Sequence, residues 1–381
     1  MGILSTLSTL NQQSQFAPVV DGQSSNEGIA KAFQDSFQKN AKPNDPEKVA
    51  DLDNRFVHEY CQFNETHEEN CDCADFTVSV ETTIEALSNL KPGKSADDDG
   101  LQAEHFLNAP FLLVIKLTSL FNYMLSHAFV PKQFRFGTII PIIKDRQGSK
   151  SDIGNYRGIT ISPLPSKVFE HVLKVIFSRY LTTSSYQYGF KSKSSTTHAL
   201  FSLRETINYY IDHGSRVYCS FLDASKAFDR LVHSGLFIKL IDKKVPKRFL
   251  DILVTWYEGL QCRVKWDGYL GDWFHMSAGV RQGGVLSPNL YSIYVDNLIN
   301  ILKSSGVGCY ISHVFAAALF YADDILIMAP SIRGLQKLLN ICSSYCKEWD
   351  IGLNPKKSKN MSFGRKLEIS SKTTTDTLEI K

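Results

Sequence analysis

Two apolar runs in this 381-residue chain end in carboxylates. Cys219-Ser220-Phe221-Leu222 runs into Asp223. Leu319-Phe320-Tyr321-Ala322 runs into Asp323-Asp324, after which Ile325-Leu326-Ile327 resumes. Ionised carboxylates are not buried unpaired in a core, so an Asp-Asp pair between apolar runs belongs on a tight turn. If the two runs are neighbouring strands, Asp223 and Asp323 face each other across a cleft. Two or three carboxylates there can hold hard divalent cations through oxygen. A pair of such cations, roughly 3.5–4 Å apart, serves phosphoryl transfer by stabilising the attacking and leaving oxygens. By spacing alone, an ordinary hairpin whose turn carries Asp explains the same acids.

A second candidate is Gly279-Val280-Arg281-Gln282-Gly283-Gly284-Val285-Leu286-Ser287-Pro288. Its glycines allow close approach of backbone and of the Gln282 side chain to a ligand. Ser287 as N-cap and Pro288 at the first helical position would open a helix, and a helix start alone explains much of the motif. The net charge of +3 is unevenly spread. Eleven Lys/Arg against three acids lie between Pro131 and Lys193, and Lys356, Lys357, Lys359, Arg365 and Lys366 form a second basic cluster. Basic residues interleaved with Phe and Tyr suit a polyanion, since each neutralised phosphate releases counterions; a solvated charged face reads the same way. Eight widely spread cysteines fit a reducing compartment better than a disulfide scaffold. Cys61, Cys71 and Cys73, near His58 and His67, match none of the common zinc spacings.

The elements that must position these residues follow from periodicity. Hydrophobic residues make up 43% and charged residues 21%, which excludes a mostly disordered chain, a collagen and a coiled coil. No uncharged apolar run approaches the roughly 18 residues of a membrane span, and Met1–Asn11 has no basic start of a secretory signal. Residues 1–80 read as a polar extension, partly disordered, with a short helix at Ile29–Phe37 and an acidic linker to about residue 75. Helices are expected at Thr82–Leu90, Pro110–Phe129, Ser166–Tyr180, Thr197–Tyr210, Phe237–Tyr257 with a break at Pro246, Ser287–Ser304 and Leu335–Trp349. Strands are expected at Thr138–Ile143, broken by Pro141, and at Val217–Leu222, Arg263–Trp266, Trp273–Met276, Val314–Tyr321 and Ile325–Met328. This mixture predicts an α+β fold.

The residues reach a family at this point. Phe320-Tyr321-Ala322-Asp323-Asp324 resembles the Y-x-D-D box of reverse transcriptases. Leu222–Asp229, with His233 and Leu236 after it, resembles the first catalytic motif of the LINE-type (non-LTR) retrotransposon enzymes, and Gly279–Pro288 is similar to the motif between their aspartate boxes. Asn155-Tyr156-Arg157-Gly158-Ile159 with Lys167 and Glu170, and Gln187-Tyr188-Gly189-Phe190 with Ser195, Thr196 and Ala199, resemble their fingers segments. Asn354–Ser358 resembles the closing lysine motif, and Leu90–Lys94 with Asp99-Gly100 their upstream block. The match runs in order over about residues 81–365. Departures are Ser95-Ala96-Asp97-Asp98, which adds two acids, Gly158 in place of a common Pro, and Gly284 in place of a common Cys.

The resemblance implies a right-hand polymerase with upstream block and fingers at 81–218, palm at 219–366 and a tail at 367–381, fingers and palm forming one domain. It implies RNA-directed DNA synthesis with Mg²⁺ (two ions; Mn²⁺ as substitute), dNTPs, an RNA template and a DNA primer or target. Asp223, Asp323 and Asp324 are then metal ligands together with the Ala224 carbonyl. Phe228 is the ring that excludes a 2′-hydroxyl, Gln282 and Gly283 approach the nucleotide, Lys144 and Arg157 clamp its triphosphate, and Lys357 protonates pyrophosphate. Core packing for Phe228, a turn role for Asp324 and general template attraction for Lys144 and Arg157 are the competing structural readings. An endonuclease upstream and a complete thumb downstream are expected to be missing, and the setting to be nuclear or cytoplasmic. The rival readings are a viral RNA-dependent RNA polymerase, an intron-type maturase and a non-catalytic nucleic-acid-binding remnant. Ala322, where the viral enzymes have Gly, and the bulk of Phe228 weigh against the first. The Lys91–Gly100 block weighs against the second, and the three intact aspartates against the third.

Overall fold

The structure is a computed structural model that describes residues 19–68 and 76–364. Met1–Asn11, Cys71, Cys73, Arg365, Lys366 and the tail Leu367–Lys381 lie outside the described residues. Among the described residues two larger sheets and one small two-stranded sheet form an α+β arrangement. The first has the order Lys359–Phe363, Val217–Asp223, Asp324–Ala329, Ala318–Tyr321, antiparallel throughout. The second joins Tyr156–Ile161, Phe136–Ile143 and Gln261–Trp266, with the short strands Tyr269–Leu270 and Phe274–His275 at its end.

The inner strands of the first sheet are apolar because both of their faces are covered. Helix Ile332–Glu348 packs against them through Leu335, Leu338, Leu339, Cys342, Tyr345 and Cys346, all buried and spaced at helical periodicity. Helix Ser287–Ser304 lies against that helix and against His233–Asp242. The break foreseen at Pro246 separates helices His233–Asp242 and Lys247–Glu258, with Pro246 as the N-cap of the second.

Pro141 does not end its strand, which runs Phe136–Ile143. Past Ile139 only one neighbour remains, and Pro141 pairs with Gly158 on that side. The missing N–H falls on a free edge, where proline is tolerated. The single strand expected at Val314–Tyr321 is two. Val314–Phe315 pairs with Tyr310–Ile311, and only Ala318–Tyr321 joins the aspartate sheet. Strand Lys359–Phe363, with only Met361 and Phe363 as apolar residues, is not among the expected strands.

The acidic linker is corrected as well. Residues 26–68 hold two helices, Asn26–Asn40 and Pro46–Glu68. Phe33 is fully buried, its ring 4.9 Å from Tyr156 and 5.0 Å from Trp266. Leu52 and Phe63 are buried from the second helix, and Phe56 lies 5.2 Å from Phe237. The acids crowd the outward face of that helix, where Arg55 pairs with Glu59 at 2.7 Å and reaches Glu348 at 3.8 Å. The boundary at residue 218 is not a spatial one, because Phe136–Ile143 and Gln261–Trp266 share a sheet.

Candidate active site

The first sheet brings the carboxylates together. Strand Asp324–Ala329 pairs with Val217–Asp223 so that Asp324 stands opposite Asp223. Tyr321 pairs with Asp324 on the other side, leaving Ala322-Asp323 as a two-residue turn. The residue directly across the ladder from Asp223 is therefore Asp324, and Asp323 projects from the turn beside it. Burial pushes the Asp323 carboxyl above its usual range, and the Asp223 charge adds to that. Asp324 is raised by burial, then by Asp323 and Asp223. Arg157 and Lys357 oppose the rise at Asp323.

The chain after Asp223 is held by the segment that precedes the last strand. Asn354 donates its N–H to Asp223 O at 2.9 Å, Ser225 donates to Gly352 O at 2.7 Å, and Ala224 bridges Leu353. The Asn354 side chain accepts from the N–H groups of Lys356 and Lys357. This turn aims Lys357 Nζ to within 3.8 Å of Asp223 Oδ2. Lys359 instead folds back on the Lys356 carbonyl.

Phe228 is only partly buried. Its ring stacks on Tyr291 at 4.9 Å and makes a T-shaped contact with Phe190 at 5.7 Å. The Gly-rich loop passes beneath it. Val280 donates to Phe228 O and Gly279 to Leu231 O, both at 2.7 Å. Gly279 has φ +93, and a Cβ there would stand 2.4 Å from Asp229 O, so only glycine fits. Gln282 Nε2 donates to Asp229 Oδ1 at 2.5 Å, and Gln282 O accepts from Thr160 N–H at 2.7 Å. Gly283, next to it, is exposed.

Two buried charges support this loop. The Arg281 guanidinium donates to the carbonyls of Phe134 and Arg135. Glu170 accepts from Leu286 N–H at 2.7 Å. That last bond corrects the expected cap: the helix N-cap is Leu286, without a side-chain cap of its own, and Glu170 of another helix satisfies the free N–H.

Lys144 and Arg157 stand on the hairpin Phe136–Ile143/Tyr156–Ile161 and its connection. Lys144 Nζ donates to Gly154 O at 3.1 Å, and Arg157 is exposed opposite Ile142. Burial lowers the Lys144 pKa, and the nearby charges of Arg157 and Lys357 lower it further. Cations from both sheets therefore converge on the carboxylates.

Among the described residues, no three His, Cys, Asp or Glu side chains form a ready coordination cage. The donor set still fits a small divalent cation. Mg²⁺ is ordinarily held by one or two carboxylates plus waters and substrate phosphates, not by an all-protein cage. Burial is the main cause of the raised Asp323 and Asp324 carboxyls, with the Asp223 charge acting on both and Asp323 on Asp324; a bound cation would relieve the charge repulsion. Cys61 is an exposed free thiol on helix Pro46–Glu68, and Cys71 and Cys73 lie outside the described residues. Sequence reading missed Asp229, Gln187 and Asn354 as structural parts of the site. Asp229 closes the quoted Leu222–Asp229 motif, and its distance from Asp223 along the chain gave no sign that it meets Gln282.

The family profile described as reverse transcriptase (RNA-dependent DNA polymerase) matches residues 144–379. The probable RNA-directed DNA polymerase from transposon BS of Drosophila melanogaster is 28% identical over 333 residues, 82% of this chain and 36% of that protein. That from transposon X-element of the same species is 30% identical, covering 67% of this chain and 28% of the relative. The RNA-directed DNA polymerase from mobile element jockey of Drosophila funebris is 28% identical, covering 75% and 32%. The chain thus spans about a third of the length of these relatives. Among solved structures, apo telomerase from Candida tropicalis, truncated from its C-terminal domain, aligns with a TM-score of 0.46 at 18% identity, covering 69% of this chain and 57% of that one.

Proposed function

This chain belongs to the reverse transcriptase (RNA-dependent DNA polymerase) family, and on that premise we propose that it extends a primer 3′-hydroxyl with dNTPs on an RNA template, as the polymerase of a non-LTR retrotransposon. The observation that carries the reading is the register of Asp324 against Asp223, with Asp323 on the adjoining turn. In this reading the aspartate sheet belongs to the palm, and the hairpin bearing Lys144 and Arg157 to the fingers. Asp223, Asp323, Asp324 and the Ala224 carbonyl would hold Mg²⁺, or Mn²⁺ in its place, which when bound would lower the pKa of the 3′-hydroxyl and neutralise charge on the triphosphate.

The chain's own groups do the rest. Arg157 and Lys144 bind phosphate oxygens by charge-assisted hydrogen bonds. Gln282 and Gly283 face the nucleotide from the loop. Phe228, wedged between Tyr291 and Phe190, closes the space that a 2′-hydroxyl would need. Lys357, beside Asp223, holds a proton for the departing pyrophosphate. The setting in this reading is nuclear or cytoplasmic; among the described residues no helix is long and apolar enough to cross a membrane.

The test is primer extension by the purified chain on a primed RNA, with dNTPs or NTPs, beside Asp323→Asn. Extension with dNTPs alone that disappears in a folded Asp323→Asn variant is the expected result. Undiminished synthesis by that variant would sink the assignment.

A further inference from the structure

Apart from Phe190, which packs on Phe228, the segment Tyr186–Phe190 has no role in the reading above, yet it reaches the carboxylate turn. Tyr188 donates its N–H to Phe320 O at 2.7 Å, and Phe320 donates to Tyr186 O at 2.9 Å. The segment thereby adds a one-residue parallel bridge, Gln187 against Phe320, to the strand that leads into Ala322. Gln187 is 1% exposed. Its Oε1 accepts from the N–H of Ala322 at 3.0 Å and from that of Gly189 at 2.9 Å. Its Nε2 donates to Ala322 O at 3.3 Å. A single side-chain amide thus grips both peptide groups of Ala322.

The contact is close on every side. A Cβ on Gly189 would stand 2.3 Å from Ala322 N, so the segment could not lie this near with any other residue there. Ala322 has φ +59, a conformation that is costly for a residue with a Cβ and persists where surroundings over-determine it. The Ala322 carbonyl belongs to the same peptide plane as the Asp323 N–H. Fixing that carbonyl fixes the backbone from which the Asp323 carboxylate departs. Next after Gly189, Phe190 makes an edge-to-face contact with Phe228.

We propose that Gln187 is a positioning residue for polymerisation: its amide clamps the Ala322 peptides and so holds the Asp323 carboxylate where it binds the divalent cation. The inference rests on the reading of Asp323 as a metal ligand. It requires a donor and an acceptor in one planar group of this length. Methionine matches the shape and has neither in the right place. Glutamate matches the shape but can donate only when protonated.

The experiment compares wild type, Gln187→Met and Gln187→Glu with primer–template bound. Mn²⁺ affinity is read by electron paramagnetic resonance, exchange of the amides of the 319–326 peptide by mass spectrometry, and kcat and dNTP KM by steady-state extension. For Gln187→Met the expected result is a loss of about tenfold or more in Mn²⁺ affinity and in kcat, faster exchange in the turn, and a nearly unchanged KM. Gln187→Glu is expected to recover relative to wild type as pH falls and its carboxyl protonates. A folded Gln187→Met with wild-type Mn²⁺ affinity and kcat overturns the proposal. If Gln187→Met does not fold, the glutamate variant decides, and a pH-independent ratio to wild type overturns it. Wild type that binds Mn²⁺ but extends nothing would refute the polymerase reading instead, while the Mn²⁺ and exchange measurements still judge Gln187.

Discussion

The Phe228 ring is pinned by stacking on Tyr291 and by an edge-to-face contact with Phe190, and it retains an open side. Pinning matters for a residue that works by exclusion, because a ring free to rotate away discriminates poorly. Phe228→Val keeps an apolar side chain and removes the volume. Incorporation of ribonucleotides relative to deoxyribonucleotides should rise by about tenfold or more, on the scale of a kcal/mol or two of lost steric discrimination. Single-nucleotide extension with each substrate measures this, and an unchanged ratio would return Phe228 to the role of packing. Residue types conveyed much at this scale. Spacing alone left Asp223, Asp323 and Asp324 open to an ordinary hairpin turn; the motifs around them pointed to a shared cleft, and the ladder sets Asp324 opposite Asp223. Gln187 was not, since nothing in its local spacing says that its amide meets a turn reached from the far side of the chain.

At the scale of elements, periodicity found the helices whose apolar faces are unbroken, such as Ile332–Glu348, and the proline break before Lys247. It failed where partners decide. Lys359–Phe363 has only the short alternation of Met361 and Phe363, and it is a strand because Val217–Phe221 offers it an edge. Helix Pro46–Glu68 was hidden by acids that turn out to cover its solvent face. The helix before it, Asn26–Asn40, tests whether the N-terminal part is structural. Phe33 fills the space between Tyr156 and Trp266, so Phe33→Ala should destabilise the fold by about 3–5 kcal/mol. Urea denaturation checks this, and a midpoint equal to wild type would mean the helix is dispensable to the core.

At the scale of the whole molecule, a net charge of +3 conceals a basic half and an acidic helix. Cations converge from two sheets on one cleft, while the acids of Pro46–Glu68 sit on the opposite account of the charge ledger, on a helix packed against His233–Asp242. Binding of a primed RNA should therefore weaken steeply with salt, the logarithm of affinity falling linearly with the logarithm of salt concentration. Filter binding or fluorescence anisotropy across a salt series measures the slope, and a flat response would deny a phosphate-tracking surface.

The second sheet is stitched from distant parts of the chain: Arg263 Nε reaches Thr138 Oγ1 across 125 positions of sequence, and strand Phe136–Ile143 has no second neighbour until Gln261–Trp266 arrives. During synthesis on the ribosome, strands Phe136–Ile143 and Tyr156–Ile161 emerge long before Gln261–Trp266, the strand that completes their sheet. Helix Asn26–Asn40 must wait as well, because Trp266 forms part of its seat. Non-local pairing of this kind folds slowly and leaves an edge unpaired meanwhile. Nascent chains stalled before residue 261 should consequently be held by chaperones or degraded, so that this polypeptide acquires protease resistance late and nearly all at once.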